Sequence, residues 1–286
     1  MVMAEPETHT LDAPGAVLHY DVRRNDASTR PTLLLIGSPM SAEGFVTQAG
    51  HFTDRTVVTY DPRGAGRSKR TDGASETTVE EHADDLHRLI DALDAGPVDI
   101  FASSGGAVNA LALVTWHPEG VRTLVAHEPP LATVLPDREE ALAVSDDIHE
   151  TYERDGLGSA MAKFIAFTSV RGPTPPDFPN HAPNPADFGL PNQDDGSRDH
   201  PLLGPHMVYV SRYEPDFDSL RGTSTRIVVA GGAESEGTFP YRAALAVAER
   251  LGTEAVIFPS HHGGFGQQGD PDAFAATLRR VLTDVG

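Results

Sequence analysis

The chain has 286 residues, with 42 Asp and Glu against 22 Lys and Arg, a formal net charge of −20 at neutral pH. So acidic a surface repels phosphate backbones and anionic lipid heads at long range, so neither nucleic acid nor membrane is expected as a partner. The absence of cysteine excludes disulfides, thiol catalysis and thiolate metal sites, and 39% apolar with 22% charged residues fits one large folded domain, not a disordered chain or a membrane bundle.

In chain order, residues 1–11 are polar and acidic, without the apolar stretch of a signal peptide. No later run reaches transmembrane length, and cytoplasmic residence is expected. A leading hairpin is predicted over 8–12 and 16–22, and strands over 32–36 and 56–60. Val79, Ala83, Leu86, Ile90 and Leu93 are spaced as one apolar helical stripe. Thr78 and Glu81 stand where a capping box would start that helix. Strands follow over 98–102 and 121–126. After a break, the rhythm resumes with strands over 226–230 and 255–258. They alternate with a helix over 241–251, ended by Gly252, and a last helix capped by Asp270 and Pro271. Short apolar runs alternating with amphipathic stretches predict an α/β fold, a mostly parallel eight-stranded sheet flanked by helices.

The break spans 133–222. Helical pieces are expected over 138–154, 158–168 and 203–213, around a loop with seven prolines between Pro173 and Pro191. Long excursions of this kind are often lids. The chain is therefore divided into a core, 1–132 and 223–286, and a mainly helical cap inserted before the strand over 226–230.

The strongest chemical signal is Val98-Asp99-Ile100-Phe101-Ala102-Ser103-Ser104-Gly105-Gly106. A buried strand enters a sharp turn and a helix starts at once. A residue on such a turn is strained, and the positions two before and two after it lie where strand and helix nearly touch. Ala102 and Gly106 are small enough for Ser104 to occupy it. Choosing Ser103 would put Phe101 at a flanking position, where it is too large. The N–H of Gly105, at the helix start, then points to a developing oxyanion.

This segment resembles the nucleophile elbow of α/β-hydrolases, and four further segments fit the same family. Leu33-Leu34-Leu35-Ile36-Gly37-Ser38 is similar to its oxyanion strand, with Ile36 where relatives commonly carry His; the resemblance makes Ser38 the second oxyanion donor. Tyr60-Asp61-Pro62-Arg63-Gly64-Ala65-Gly66-Arg67-Ser68 is similar to a signature that shapes the loop after a strand. In Gly231-Gly232-Ala233-Glu234-Ser235-Glu236, the family spacing selects Glu234 as the acid, with Glu236 and Glu128 as competitors. Phe258-Pro259-Ser260-His261-His262-Gly263-Gly264-Phe265 resembles the loop that delivers the catalytic histidine and selects His262. The order Ser104, Glu234, His262 is the one this fold uses.

What the resemblance implies is a serine hydrolase that cleaves a small or medium ester, thioester or lactone through an acyl-enzyme, without a cofactor. Carbon–carbon bond hydrolysis and acyl transfer use the same residues and stay open, as does a ligand-binding receptor on the same scaffold. A serine at the elbow argues against the dehalogenase and epoxide hydrolase chemistries, which need an aspartate there. Met40, Ser103, His206 and Tyr209 are expected to line the substrate pocket. His181, His200 and His206 lie near Asp194, Asp195 and Asp199 in the sequence but show no recognised ligand spacing, so no metal is expected. The partner is a small-molecule substrate, and the oligomeric state, monomer or homodimer, stays open.

Overall fold

The computed structural model describes residues 5–74 and 76–284; residues 1–4 of the N-terminal segment read above lie outside them. The hairpin β1 (Glu7–Ala13) and β2 (Ala16–Arg23) leads into a sheet with β3 (Leu33–Ile36), β4 (Val57–Asp61), the two-residue β5 (Lys69–Arg70), β6 (Val98–Ser103), β7 (Val121–His127), β8 (Arg226–Gly232) and β9 (Val256–Phe258). Eight strands run in the order β1-β2-β4-β3-β6-β7-β8-β9, with β5 paired to β2. The β1–β2 and β2–β4 pairs are antiparallel, and from β4 to β9 every pair is parallel. The helices are α1 (Val46–His51), α2 (Val79–Leu93), α3 (Gly105–Trp116), α4 (Arg138–Thr168), α5 (Pro205–Arg212), α6 (Phe217–Gly222), α7 (Phe239–Leu251) and α8 (Pro271–Thr283).

The central strands are apolar throughout because both faces of the sheet are covered. Leu33 and Leu35 point to one face, where they pack with Phe45, Phe101, Phe274 and Leu278 around α1 and α8. Leu34 and Ile36 point to the other, with Leu86, Val108 and Leu111 of α2 and α3. The parallel pairing leaves the carboxyl ends of β6, β7, β8 and β9 side by side at one edge of the layer.

Between β7 and β8 the chain leaves the sheet for α4, α5 and α6. The two helical pieces expected over 138–168 are continuous in α4 except at Gly156, whose φ of 83° and ψ of −174° break the helix. A Cβ there would collide with the Asp194 carboxylate, so glycine serves both the kink and the packing of the proline-rich loop against it. Lys163, buried on α4, bonds Asp147 at 2.5 Å and the Pro179 carbonyl at 3.1 Å, tying the loop to both halves of the helix.

Candidate active site

Ser104 follows β6 directly, with φ 57° and ψ −130°. A non-glycine residue at positive φ costs of order 1–3 kcal/mol and persists only where its surroundings enforce it. Here Ser104 N–H donates to the His127 carbonyl at 2.9 Å, continuing the β6–β7 ladder, and α3 begins at the next residue. A Cβ on Gly106 would lie 2.7 Å from Gly37 Cα, and one on Gly105 would lie 2.6 Å from the Ser38 carbonyl oxygen. Both glycines are therefore required by the close approach of the loop after β3. Ser38 N–H makes no hydrogen bond among the described residues, and Gly105 opens a helix whose first N–H groups have no intrahelical acceptor. Two main-chain donors thus stand free beside Ser104.

The loop after β3 is held from below by the Asp61–Ser68 segment. Asp61 Oδ1 accepts from Ala42 N–H at 2.8 Å, while its Oδ2 accepts from Arg67 N–H and Nε at 2.9 and 2.7 Å. Ser68 Oγ donates to the Asp61 carbonyl at 2.6 Å. Arg63 makes a two-bond pair with Asp85 of α2, at 2.9 and 2.6 Å, both side chains buried. The segment supports structure, in agreement with its sequence reading.

His262 lies on the loop after β9, its side chain 42% exposed. Its Nδ1 is 2.5 Å from Glu128 Oε2. Glu128 stands just past the end of β7, fully buried, at φ 48°. Its N–H donates to the Ala230 carbonyl at 2.9 Å, and its Oε1 accepts from Gly232 N–H at 2.8 Å. Burial alone would raise the Glu128 pKa. The His262 hydrogen bond, the charges of His127 and His262 and the Gly232 N–H outweigh it and hold the carboxyl at about 2. Ser104 Oγ and the His262 ring line one cavity without being hydrogen-bonded to each other, a bond that commonly tightens only with substrate in place.

The expectation that Glu234 meets His262 is corrected by this geometry. Glu234 is exposed, lines the cavity, and its carboxylate makes no hydrogen bond among the described residues. Its main chain serves as an anchor. Glu234 N–H donates to the Ser260 carbonyl at 2.9 Å, and Arg171, just after α4, donates to the Glu234 carbonyl at 2.9 Å and to that of Glu236. Glu236 is exposed as well. The carboxylate on the imidazole thus precedes the inserted segment in the chain. The sequence signal for it was Glu128 in His127-Glu128-Pro129-Pro130, at a strand end where two prolines stop the ladder.

The cavity has a volume of about 490 Å³. Ile148, Phe164 and Phe167 of α4 and Met207 and Val210 of α5 form its apolar roof, and Ser38, Ser104, Gly105 and His262 its floor. Of the expected lining residues, His206 is there. Met40 is 39% exposed outside the cavity. Ser103 is turned inward and buried, its Oγ 3.3 Å from His127 Nδ1. Tyr209 reaches away to bond the Glu76 carboxylate. The misplacement of Ser103 and Tyr209 follows from strand and helix phase, since sequence neighbours of a cavity residue face another way, whereas Met40 lies on the loop after β3.

His181, His200 and the nearby aspartates do not converge. Asp194 pairs with Arg198 at 2.7 Å and His181 stacks on Phe178. His127, Glu128 and His262 do bring one ligand atom each within 4.8 Å of one another. The 2.5 Å hydrogen bond between Glu128 and His262 occupies the space in which an ion would bridge them. The set fits a hydrogen-bonded acid–imidazole pair better than a metal centre.

A strained serine on a strand–helix turn, an imidazole oriented by a buried ionised carboxylate and two free N–H groups can together move a proton from a hydroxyl and stabilise an oxyanion. Comparison with known proteins agrees with that capacity. A family model described as the alpha/beta hydrolase fold matches residues 31–262. An uncharacterised hydrolase of Bacillus subtilis (strain 168), YraK, is 33% identical over 272 residues, covering 90% of this chain and 89% of the relative. Among solved structures, a thermophilic esterase from Thermogutta terrifontis superposes with a TM-score of 0.68 at 21% identity, over 98% of both chains. An enol-lactonase from Burkholderia xenovorans LB400 superposes with a TM-score of 0.66 at 16% identity, over 96% of this chain and 100% of that one.

Proposed function

The chain belongs to the alpha/beta hydrolase fold family, and from that premise we propose that it is a serine hydrolase cleaving a small or medium ester, thioester or lactone through an acyl-enzyme on Ser104. The observation that carries this reading is the 2.5 Å bond between His262 Nδ1 and buried Glu128, beside the strained Ser104 in one cavity. With Nδ1–H donated to Glu128, His262 Nε2 is left as a lone-pair base facing the cavity.

In the first half-reaction Ser104 Oγ attacks the carbonyl carbon while its proton passes to His262 Nε2. Glu128, ionised throughout, stabilises the imidazolium. The negative oxygen of the tetrahedral intermediate accepts from Ser38 and Gly105 N–H, a kind of interaction worth about 10²–10³ in rate per donor. Collapse breaks the bond to the leaving alcohol or thiol, which takes the proton from His262. Water then attacks the acyl-enzyme with His262 again as base, releasing the acid and restoring Ser104 Oγ–H. The segment 133–222 acts as a cap, and its apolar roof favours an uncharged acyl chain over a polar one. The esterase and lactonase similarities support the ester and lactone classes.

The test is intact-mass measurement after treatment with a fluorophosphonate. One adduct is expected on the native chain, and none on Ser104→Ala or His262→Ala. An adduct that survives Ser104→Ala, or an unmodified native chain, would overturn the assignment.

A further inference from the structure

The loop that carries Ser38 is short of support on its upper side. Ile36, where relatives commonly carry a histidine, is apolar and fully buried among the core residues, so it offers the loop no hydrogen bond. The Asp61 carboxylate holds the loop four residues further on, at Ala42. At Ser38 itself the only side chain bonded to the hydroxyl, among the described residues, comes from the other side of the cavity.

That side chain is His206, in the first turn of α5 behind Pro205. Its Nε2 lies 3.3 Å from Ser38 Oγ. The point that a Cβ on Gly105 would occupy is 2.6 Å from the Ser38 carbonyl oxygen and 3.1 Å from His206 Nε2. The imidazole, the Ser38 loop and the helix start after Ser104 therefore meet at one place. Behind the ring, His82 of α2 makes an edge-to-face contact at 5.6 Å and 89°. His82 is itself buried, with an unpartnered Nδ1. Burial pushes the His206 pKa down to about 4, against the opposing pull of the Ser38 main chain, so the ring is neutral near neutral pH.

We propose that His206 is a positioning residue for the oxyanion site: through Ser38 Oγ, the cap holds the Ser38 N–H in its oxyanion-binding direction, and the donor pair is complete only with α5 seated. The idea rests on the serine-hydrolase reading of Ser104. It makes activation of the site a property of the cap as well as of the core, because among the described residues no core side chain hydrogen-bonds the Ser38 hydroxyl. Without the ring, the Ser38 peptide gains freedom in the ground state, and the transition state loses part of one donor.

The experiment measures the saturation kinetics of Ser104 labelling by a fluorophosphonate on the full chain. The variants are His206→Ala, His206→Gln, Ser38→Ala and the double variant His206→Ala/Ser38→Ala. His206→Ala is expected to lower the maximal labelling rate about tenfold or more, with half-saturation moving less than about threefold. His206→Gln, which places an amide N–H near the position of Nε2, is expected to recover most of the loss. Ser38→Ala keeps the main-chain donor but loses the tether, so it should resemble His206→Ala, and the double variant should lose no more than either single one. Wild-type labelling by His206→Ala, a Gln variant as slow as the Ala variant, or losses that multiply in the double variant would each overturn the proposal. Failure of the underlying reading is distinguishable: the native chain would then take no adduct, or the adduct would survive Ser104→Ala. Melting temperatures of the four variants separate a slow site from a poorly folded chain, and Ser38→Ala alone still decides the matter if the His206 variants do not fold.

Discussion

Asp94, Ser104, Glu128 and Ser260 are the non-glycine residues at positive φ among those described. Asp94 ends α2; the other three sit at the carboxyl ends of β6, β7 and β9, at Ser104, at Glu128 and two residues before His262. Strain of this kind persists where a site needs a side chain aimed out of the regular ladder. Glu128 carries this strain and Glu234 does not. Glu128→Gln is accordingly expected to lower kcat about 10³–10⁴-fold, since the amide would impose the wrong tautomer on His262. Glu234→Gln should stay within about threefold, because a carboxylate that does not touch the imidazole neither orients it nor stabilises its charge. Turnover of a p-nitrophenyl ester by the two variants checks this; equal losses, or the reverse order, would return the role to Glu234. Family spacing could not choose between them. The contact joins residues 134 apart in the chain, and it depends on which strands are neighbours.

Element boundaries were legible where side chains make their own local bonds. The box predicted at Thr78 and Glu81 forms with both bonds, Glu81 N–H to Thr78 Oγ1 at 3.2 Å and Thr78 N–H to Glu81 Oε2 at 2.9 Å. Asp270 caps α8 through Ala273 N–H, and Gly252 ends α7 at φ 74°. Thr78→Ala is expected to cost about 1 kcal/mol of stability, the usual worth of an N-cap. A urea melt of the variant checks it, and an unchanged midpoint with unchanged slope would show that α2 is held by packing alone. The cap was less legible. Helices α4 and α5 were found near their true limits and the short α6 was not predicted; α4 carries both polar and apolar residues around its girth, because it faces the cavity, the proline-rich loop and solvent at once. Such a pattern tells that a helix exists without telling which side roofs the site, and on the short α5 likewise His206 lines the cavity while Tyr209 turns away to Glu76.

For the molecule as a whole, two sets of buried ionisable groups, shifted by different causes, make stability depend on acidification in two windows. His127 and His206 are depressed from 6.5 to about 4 by burial. Between those values the unfolded chain binds the protons that the folded chain refuses, so stability falls as pH drops through the window. Glu128 is depressed from 4.5 to about 2. Its contribution is complete above 4.5 and is lost as pH falls towards 2. The first window is testable with His127→Phe, a ring that suits its neighbours Phe101, Phe258 and Phe274. The slope of unfolding free energy against pH between about 6 and 4.5 should become shallower by up to about 1.4 kcal/mol per pH unit, one proton's worth. An unchanged slope would mean that His127 titrates alike in both states.

The sequence by itself determined the fold class, the strands and capped helices, and Ser104 and His262 at the mouths of their strands, because these rest on short-range facts: apolar runs, turn residues, side chains too large for a tight elbow. Only the tertiary structure decided which carboxylate meets the imidazole, which faces of the inserted helices close over the cavity, and that His206 reaches Ser38 from 168 residues away. Those outcomes follow from the lateral order of the strands and from the seating of α4 and α5, which are set by packing of the whole core and leave no local mark in the chain.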